Sequence, residues 1–427
     1  MPKRRNFQSL RGMRDILPQD AEMWQWVLDK CREVALAYGY SPIETPLLEA
    51  AELFKRSVGS STDIVQKEMF AFKDHGGEEV ALRPEFTASV ARAYIEHGLT
   101  NQPKPVKLFQ IGPCFRGERP QSGRLRQFHQ FNVEVLGSAE AITDAELIAL
   151  AYVILRELGL EVVVQVNSIG TPESRRTYIK KLKEFYQPKL RYLCSDCRDR
   201  YKNNPLRLLD CKKKKCGDYC LEVPQIVDYL DEESKDHLMK LLEALDDFDL
   251  PYVLNPQIVR GLDYYTRTAF EIWSKEDGGN ARTTALGGGG RYDGLIELIG
   301  GRETPACGFA LGLERIVSKL REKNIKAPTL VNFDIFLAHL GEVARKKIFA
   351  VFEELRRKKY RVTFNLSKTN LKQQLELANK LGVKLVLILG EKEVAEHEIL
   401  IKEMESGVQE SIAIDRLEKE LDKRLKN

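Results

Sequence analysis

Apolar positions recur at helical spacing over residues 20–38, Leu28, Val34 and Leu36 among them, with Gly39 at the end where a left-handed cap fits. Residues 59–80 are polar and glycine-bearing and read as a loop or hairpin. Residues 106–115 and 127–136 read as two strands separated by the polar stretch 117–126. Thr143 with Glu146 three residues on reads as a capping box that opens a helix over 143–158, and 161–166 is a β-branched strand. From 171 to about 250 charge rises and helical periodicity dominates, most clearly in 225–245. Strand-like sequence resumes at Tyr252 and continues past Trp273, which makes the helical stretch an insertion within one sheet domain. Beyond Thr329, three short apolar runs (334–340, 360–366 and 385–389) are each followed by a helix-like stretch. That alternation predicts a separate α/β domain with mostly parallel pairing. The expected division is a sheet domain over 1–325, carrying the insertion at about 171–250, and an α/β unit over 331–427.

Period-two alternation over 127–136 puts Gln130, Asn132 and Glu134 on one face and Phe131, Val133 and Val135 on the other. Arg116, Arg119, Arg124 and Arg126 crowd the adjoining turn, and their planar forks suit phosphate or carboxylate, although a solvated hairpin would carry the same charges. Glu85 and Thr87, in Arg83-Pro84-Glu85-Phe86-Thr87, share parity in a second polar row whose carboxylate could hold an amino group. Tyr264 and Tyr265 are adjacent in strand-like sequence, where one buried and one exposed ring is expected. The four glycines 287–290 offer no packing and cost chain entropy, so they predict close approach of backbone to a ligand. In 305–316 a small-residue strand runs into a helix with Arg315 in its first turn. A cation there opposes the macrodipole unless an anion intervenes or Glu314 compensates.

An apolar content of 43% with 30% charged residues fits a globular protein and argues against disorder or a fibrous repeat. The longest apolar run, 147–155, is far short of the ~20 residues of a membrane helix, and no apolar segment follows the basic start, so neither a membrane nor a secreted role is expected. With 67 Lys+Arg against 63 Asp+Glu the net charge is only +4, and a polyanion site has to come from local clustering. Of eight cysteines, Cys31, Cys114 and Cys307 lie among apolar neighbours and five fall between 194 and 220. Cys194-x2-Cys197 followed by Cys211, Cys216 and Cys220 suggests structural zinc at Cys194, Cys197, Cys211 and Cys216. Reduced thiols are the alternative, since the second half lacks a tight CxxC. Lys212 to Lys215 either face the phosphates of a polyanion or form a solvated run.

Together these segments resemble class II aminoacyl-tRNA synthetases, and specifically the histidyl-tRNA synthetase family. Residues 38–48 are similar to the first class II motif, 115–134 to the second and 308–315 to the third. Residues 260–265 and 288–295 resemble two signatures peculiar to the histidine enzymes, and the resemblance extends from Gln8-Ser9-Leu10-Arg11-Gly12-Met13-Arg14-Asp15 to the final α/β domain. It implies an α+β architecture: an antiparallel-sheet catalytic domain with a helical insertion, plus a C-terminal α/β anticodon-binding domain. The implied activity is two-step ligation of L-histidine to tRNA(His) through histidyl-adenylate, with ATP and Mg²⁺, by a cytoplasmic homodimer.

By the same resemblance Arg116 contacts the α-phosphate of ATP and the histidine carboxylate, and Arg315 the γ-phosphate end. Glu85, Thr87, Gln130 and Glu134 bind the amino group and imidazole, and Tyr264 and Tyr265 line the side-chain pocket with Tyr292 nearby. Arg260 stands where the family has a catalytic arginine beside the α-phosphate and the histidine. Gln121 and Arg124 approach the tRNA acceptor end, and residues after about 331 the anticodon. Alternation agrees for Gln130 and Glu134 but does not readily put Tyr264 and Tyr265 in one pocket, for which a bend is one resolution. Bacterial relatives usually have Gly where Phe86 stands, so Phe86 is expected to pack. A carboxylate that accepts an imidazole N–H rejects isosteres lacking it by roughly 10⁴-fold or more, so no editing domain is expected. The rival reading is a non-catalytic paralogue, a regulatory subunit of histidine biosynthesis, which typically lacks the C-terminal domain and has eroded signatures. A tRNA-binding or stress-sensing domain without ligase activity is a third.

Overall fold

The computed structural model describes residues 7–59, 62–118, 124–209, 211, 213–220, 222–259, 261–277, 285–328 and 333–425. Two compact units divide the chain, Met1–Ala327 and Pro328–Asn427. The first is built on an eight-stranded sheet. Its order is Ser41–Pro42, Val106–Phe115, Gln127–Leu136, Ala306–Gly312, Gly287–Arg291, Thr266–Ser274, Val162–Ser168 and Tyr252–Leu254. Pairing is antiparallel except at the two edges. The long hairpin falls where alternation predicts it.

Phe131, Val133 and Val135 are fully buried and meet Phe109, Phe270 and Phe309 in one core with the helices Pro18–Ala37 and Ala141–Glu157. Each large apolar side chain buried there contributes about 1.5–3 kcal/mol. With that face committed to the core, Gln130, Asn132 and Glu134 project from the other side of the sheet.

The helix expected from Thr143 begins at Ala141, and no capping box forms. Thr143 Oγ1 pairs with Ser138 Oγ (2.7 Å), while Glu146 accepts from Lys107 Nζ (2.8 Å) and Tyr40 OH (2.8 Å). The helix entrance is held by Arg291, buried completely, whose guanidinium donates to Ser138 O (2.8 Å), Glu140 O (3.3 Å) and Asp144 Oδ1 (2.6 Å). Asp144 also accepts from Thr268 Oγ1 (2.6 Å) and meets His237 Nε2 (2.8 Å). Burial alone would raise the Asp144 pKa, but Arg291 and His237 outweigh it and hold it at about 2. A pKa lowered on folding means that the unfolded chain binds the proton better. This stabilisation is therefore present above the ordinary carboxylate range and lost as pH falls from about 4 toward 2. Asp144→Asn, which removes the closer of Arg291's two carboxylate partners and leaves only Asp293 (3.1 Å), is expected to cost about 3 kcal/mol in urea unfolding at pH 7.

The glycine run has a packing role that its composition conceals. It forms an inner strand, and a Cβ at Gly287, Gly289 or Gly290 would lie 2.5, 2.0 or 2.2 Å from a carbonyl oxygen of a neighbouring strand. Strand-like sequence at 252–274 is interrupted as well: the chain leaves the sheet after Leu254 and re-enters at Thr266. Between Ser168 and Tyr252 lies the helical insertion, with the helices Pro172–Tyr186, Ser195–Asn203, Lys214–Cys220 and Glu232–Asp247. Thr171 and Asp231 cap the first and last of these, and Thr171 Oγ1 donates to Asp231 Oδ2 (2.8 Å), tying entrance to exit. Residues 59–80 hold a short π-helical turn, Ile64–Glu68, and the hairpin Ala71–Lys73/Glu79–Leu82.

In the second unit Val362–Phe364, Ile335–His339 and Leu385–Leu389 pair in parallel, as the alternation predicts. Two antiparallel strands, Glu398–Glu403 and Gln409–Ala413, extend this sheet. The first holds only the short apolar run 399–401 between charged residues, and the second is mostly exposed, so neither gave a strand-length apolar run to read. Among the described residues no helix is long and apolar enough to cross a membrane.

Candidate active site

On the polar face of Gln127–Leu136, Glu134 is buried in register with Gly308, where a Cβ would lie 1.9 Å from its Oε2. Glycine on the neighbouring strand therefore makes room for the carboxylate. Thr87 Oγ1 (2.5 Å) and Asn132 Nδ2 (3.0 Å) donate to Glu134 Oε1, and Tyr292 OH donates to Oε2. Glu85 and Thr87 are not two positions of a strand. Glu85 precedes the helix Thr87–Glu96 and accepts the backbone N–H groups of Thr87 (2.7 Å) and Ala88 (2.9 Å), which fixes its carboxylate as a helix cap. Phe86 is buried with the Arg83 guanidinium 4.3 Å from its ring centroid, the packing role its bulk implies.

Tyr264 and Tyr265 are both buried. They sit in the turn before Thr266, so strand alternation does not govern them, and their ring centroids are 4.8 Å apart. Tyr292 packs against both at 5.5 and 6.2 Å, and Tyr264 OH reaches toward Glu85 Oε2 at 3.5 Å. Burial pushes the Glu134 carboxyl well above its usual range. Burial also raises Glu85, against the lowering by the Ala88 and Thr87 N–H groups. Two desolvated carboxyls among phenol rings form a pocket that favours a cationic or N–H-donating guest.

Beyond Gln130, on the same strand face, a cavity of about 300 Å³ opens, lined by Arg116, Arg124 and Arg315. Arg116 is pinned by Nε donating to Pro84 O (3.0 Å) and by the Phe128 ring 5.2 Å away. Arg315 Nη1 donates to Ala285 O (2.8 Å), and burial together with Arg116 and Arg124 brings its pKa down to about 10. Glu314 faces His129 instead, accepting from its backbone N–H (2.9 Å) and meeting Nδ1 (2.9 Å). Three guanidinium groups in a shared cavity, two of which depress the third, leave it suited to a polyanion. Glu118 and Glu271 bring carboxylates to the same cavity, the donor type Mg²⁺ takes alongside phosphate oxygens. Arg124 sits at the turn, with Nη1 donating to Glu118 Oε2 (2.7 Å). Arg126 N–H donates to Gly12 O (2.7 Å), which brings the N-terminal segment to the same hairpin.

Arg119, Gln121 and Arg260 lie outside the described residues. The structure brings the other expected residues into two adjoining groups: Glu85, Thr87, Glu134, Tyr264, Tyr265 and Tyr292 in the pocket, and Arg116, Arg124, Gln130 and Arg315 around the cavity. Gly287 and Gly288 also border the cavity, so part of the glycine run faces open space. Arg207, from the insertion, joins the wall and is ion-paired to Asp63. No sequence signal marked that pair, because the partners are far apart in the chain. Away from this site the Sγ atoms of Cys194, Cys197, Cys211 and Cys216 lie within 4.8 Å of one another.

A family model described as histidyl-tRNA synthetase matches residues 12–183 and 210–316, and an anticodon binding domain model matches 334–424. The chain is 45% identical over 418 residues to the histidine–tRNA ligase of Thermoanaerobacter pseudethanolicus, covering 98% of each. It is likewise 45% identical to that of Fervidobacterium nodosum, covering 94% of this chain and 95% of the relative. Among solved structures, apo S. aureus histidyl-tRNA synthetase is similar at 34% identity and TM-score 0.80, over 97% of this chain and 99% of that one. The chain belongs to the histidyl-tRNA synthetase family.

Proposed function

We infer that this protein is a histidine–tRNA ligase. It activates L-histidine with ATP and transfers the histidyl group to tRNA(His). The observation that carries the site assignment is the continuity of one strand face: Glu134 closes the buried pocket and Gln130 borders the arginine-lined cavity. Four residues of strand separate them by about 13 Å, a span suited to an amino acid joined to a nucleotide.

In the first step a histidine carboxylate oxygen attacks the α-phosphorus of ATP. The bond to the β-phosphate bridging oxygen breaks, and pyrophosphate leaves with that electron pair. In the second, a hydroxyl of the 3′-terminal ribose attacks the carbonyl carbon and AMP departs. No side-chain nucleophile is needed. Arg116 holds the carboxylate and the α-phosphate in line, its guanidinium already fixed by Pro84 and Phe128. Arg315 binds the γ-phosphate end, and Arg260 adds charge beside the α-phosphate. Glu118 and Glu271 would hold Mg²⁺, which would supply charge neutralisation for the phosphates. Glu85 and Thr87 take the α-amino group, Glu134 the imidazole N–H, and Tyr264, Tyr265 and Tyr292 wall the ring. Arg124 and Gln121 meet the acceptor end, and the second unit meets the anticodon.

The C-terminal unit, which the regulatory reading expects to be missing, is present. A cytoplasmic homodimer joined through the first motif is part of this proposal, supported by Leu47 and Leu48, which are 45% and 46% exposed in the single chain. Sedimentation at micromolar concentration should give the dimer mass. Purified protein with ATP and Mg²⁺ should charge a tRNA(His) transcript with labelled histidine; failure of folded protein to do so would remove the ligase reading. Arg260→Ala is expected to keep histidine binding in calorimetry while losing most pyrophosphate exchange. Near-normal exchange in that variant would refute its role.

A further inference from the structure

The four converging sulfurs belong to no part of the reaction. Cys194 is the N-cap of the helix Ser195–Asn203 and Cys197 lies in its first turn. Cys216 comes from the helix Lys214–Cys220, and Cys194 N–H donates to its Sγ at 3.3 Å. Cys197 and Cys216 are buried and the other two are half-buried, and no disulfide joins the described cysteines. A tetrahedral zinc tetrathiolate with Zn–S of about 2.3 Å has sulfurs about 3.8 Å apart, which fits inside the 4.8 Å that bounds all four here.

The helix that carries the first ligand pair is lightly anchored. Cys197 is the only buried residue of the nine-residue helix Ser195–Asn203. Helices this short with so little apolar surface are marginal without another source of stability.

We propose that Cys194, Cys197, Cys211 and Cys216 bind one Zn²⁺ as a closed structural site, and that this site holds the turn Pro205–Leu208 against the active-site cavity. The turn lies between the two ligand pairs in sequence. Arg207 within it pairs with Asp63 and lines the cavity, and Arg200 Nη1 braces Arg207 O at 3.0 Å. Asn204, just ahead of it, donates to Asp263 Oδ1 at 3.0 Å, one residue before Tyr264. Binding releases the thiol protons to solvent, and no redox partner is involved. The second half of the proposal rests on the cavity being the ATP site, which makes Arg207 a positioning residue.

Full-length protein purified without chelator is expected to hold about one zinc per chain by mass spectrometry, with less than about a tenth remaining in the Cys194→Ser/Cys197→Ser variant. Cobalt substitution should give the visible bands of a tetrahedral tetrathiolate. A wild type with less than about a tenth of an equivalent, or a variant that keeps its zinc, would overturn the metal site. For the positioning role, metal removal and Arg207→Ala should each raise KM for ATP roughly tenfold, and together no further than either alone. If chelated protein keeps its KM for ATP while Arg207→Ala raises it, the clamp is wrong and the zinc site stands. If exchange is absent in zinc-loaded wild type, the site reading fails and the zinc content stands on its own.

Discussion

Glu134→Gln is expected to lower kcat/KM for histidine roughly 10²–10³-fold, the equivalent of about 3–4 kcal/mol. The carboxylate accepts from Thr87, Asn132 and Tyr292 in a buried site. An amide of the same shape turns one of those acceptor positions into a donor facing donors, at about 1–3 kcal/mol for each group left unpaired. It also gives up the charged acceptor for the imidazole N–H. Stability should move far less. Glu134 has its pKa raised by burial, so the native state binds that proton better than the unfolded chain does. Its contribution is present below the ordinary carboxylate range and lost as pH rises through the native value. A permanently neutral Gln escapes that loss, which offsets the cost of the unpaired donors, and thermal unfolding at pH 7 should show Tm little changed. Activity loss with a lowered Tm would instead mark Glu134 as a packing residue, and a loss under about fivefold would sink its role in recognition.

Arg116→Ala is expected to reduce kcat for adenylate formation by about 10²–10³-fold while changing the dissociation constant for histidine less than tenfold. The guanidinium is held in advance by Pro84 O and the Phe128 ring, so little reorganisation accompanies charge development at phosphorus. Single-turnover adenylate formation separates the two effects. A variant within tenfold of wild type in that step would place the necessary charge elsewhere.

How legible each feature was depended on how local its cause is. The hairpin 106–115/127–136 and the polar face bearing Gln130 and Glu134 followed from period-two alternation, because one face packs on Phe109, Phe270 and Phe309 and the other does not. The same rule misplaced Glu85, Thr87, Tyr264 and Tyr265. They lie at a helix entrance and in a turn, where parity has no meaning. Family resemblance grouped the tyrosines correctly, since it carries pocket membership without regard to backbone. The glycine run looked empty of packing because its neighbours, the carbonyls of Ala310, Gly308 and Thr268, are set by strand order and not by the run itself. The Arg291–Asp144 network and the Arg207–Asp63 pair were invisible for the same reason: each joins residues over 140 positions apart. Net charge near zero was uninformative too, because acidic helices offset the arginines gathered around one cavity.

The central claim is that the Glu134 pocket and the arginine cavity act as one adenylate-forming site for histidine. Amino-acid-dependent exchange of labelled pyrophosphate into ATP tests it most directly, in folded protein with Mg²⁺ and without tRNA. Exchange should require histidine, fall to background with each other amino acid, and collapse in Glu134→Gln and Arg116→Ala. Absence of histidine-dependent exchange, or equal exchange with an amino acid lacking an imidazole N–H, would contradict it.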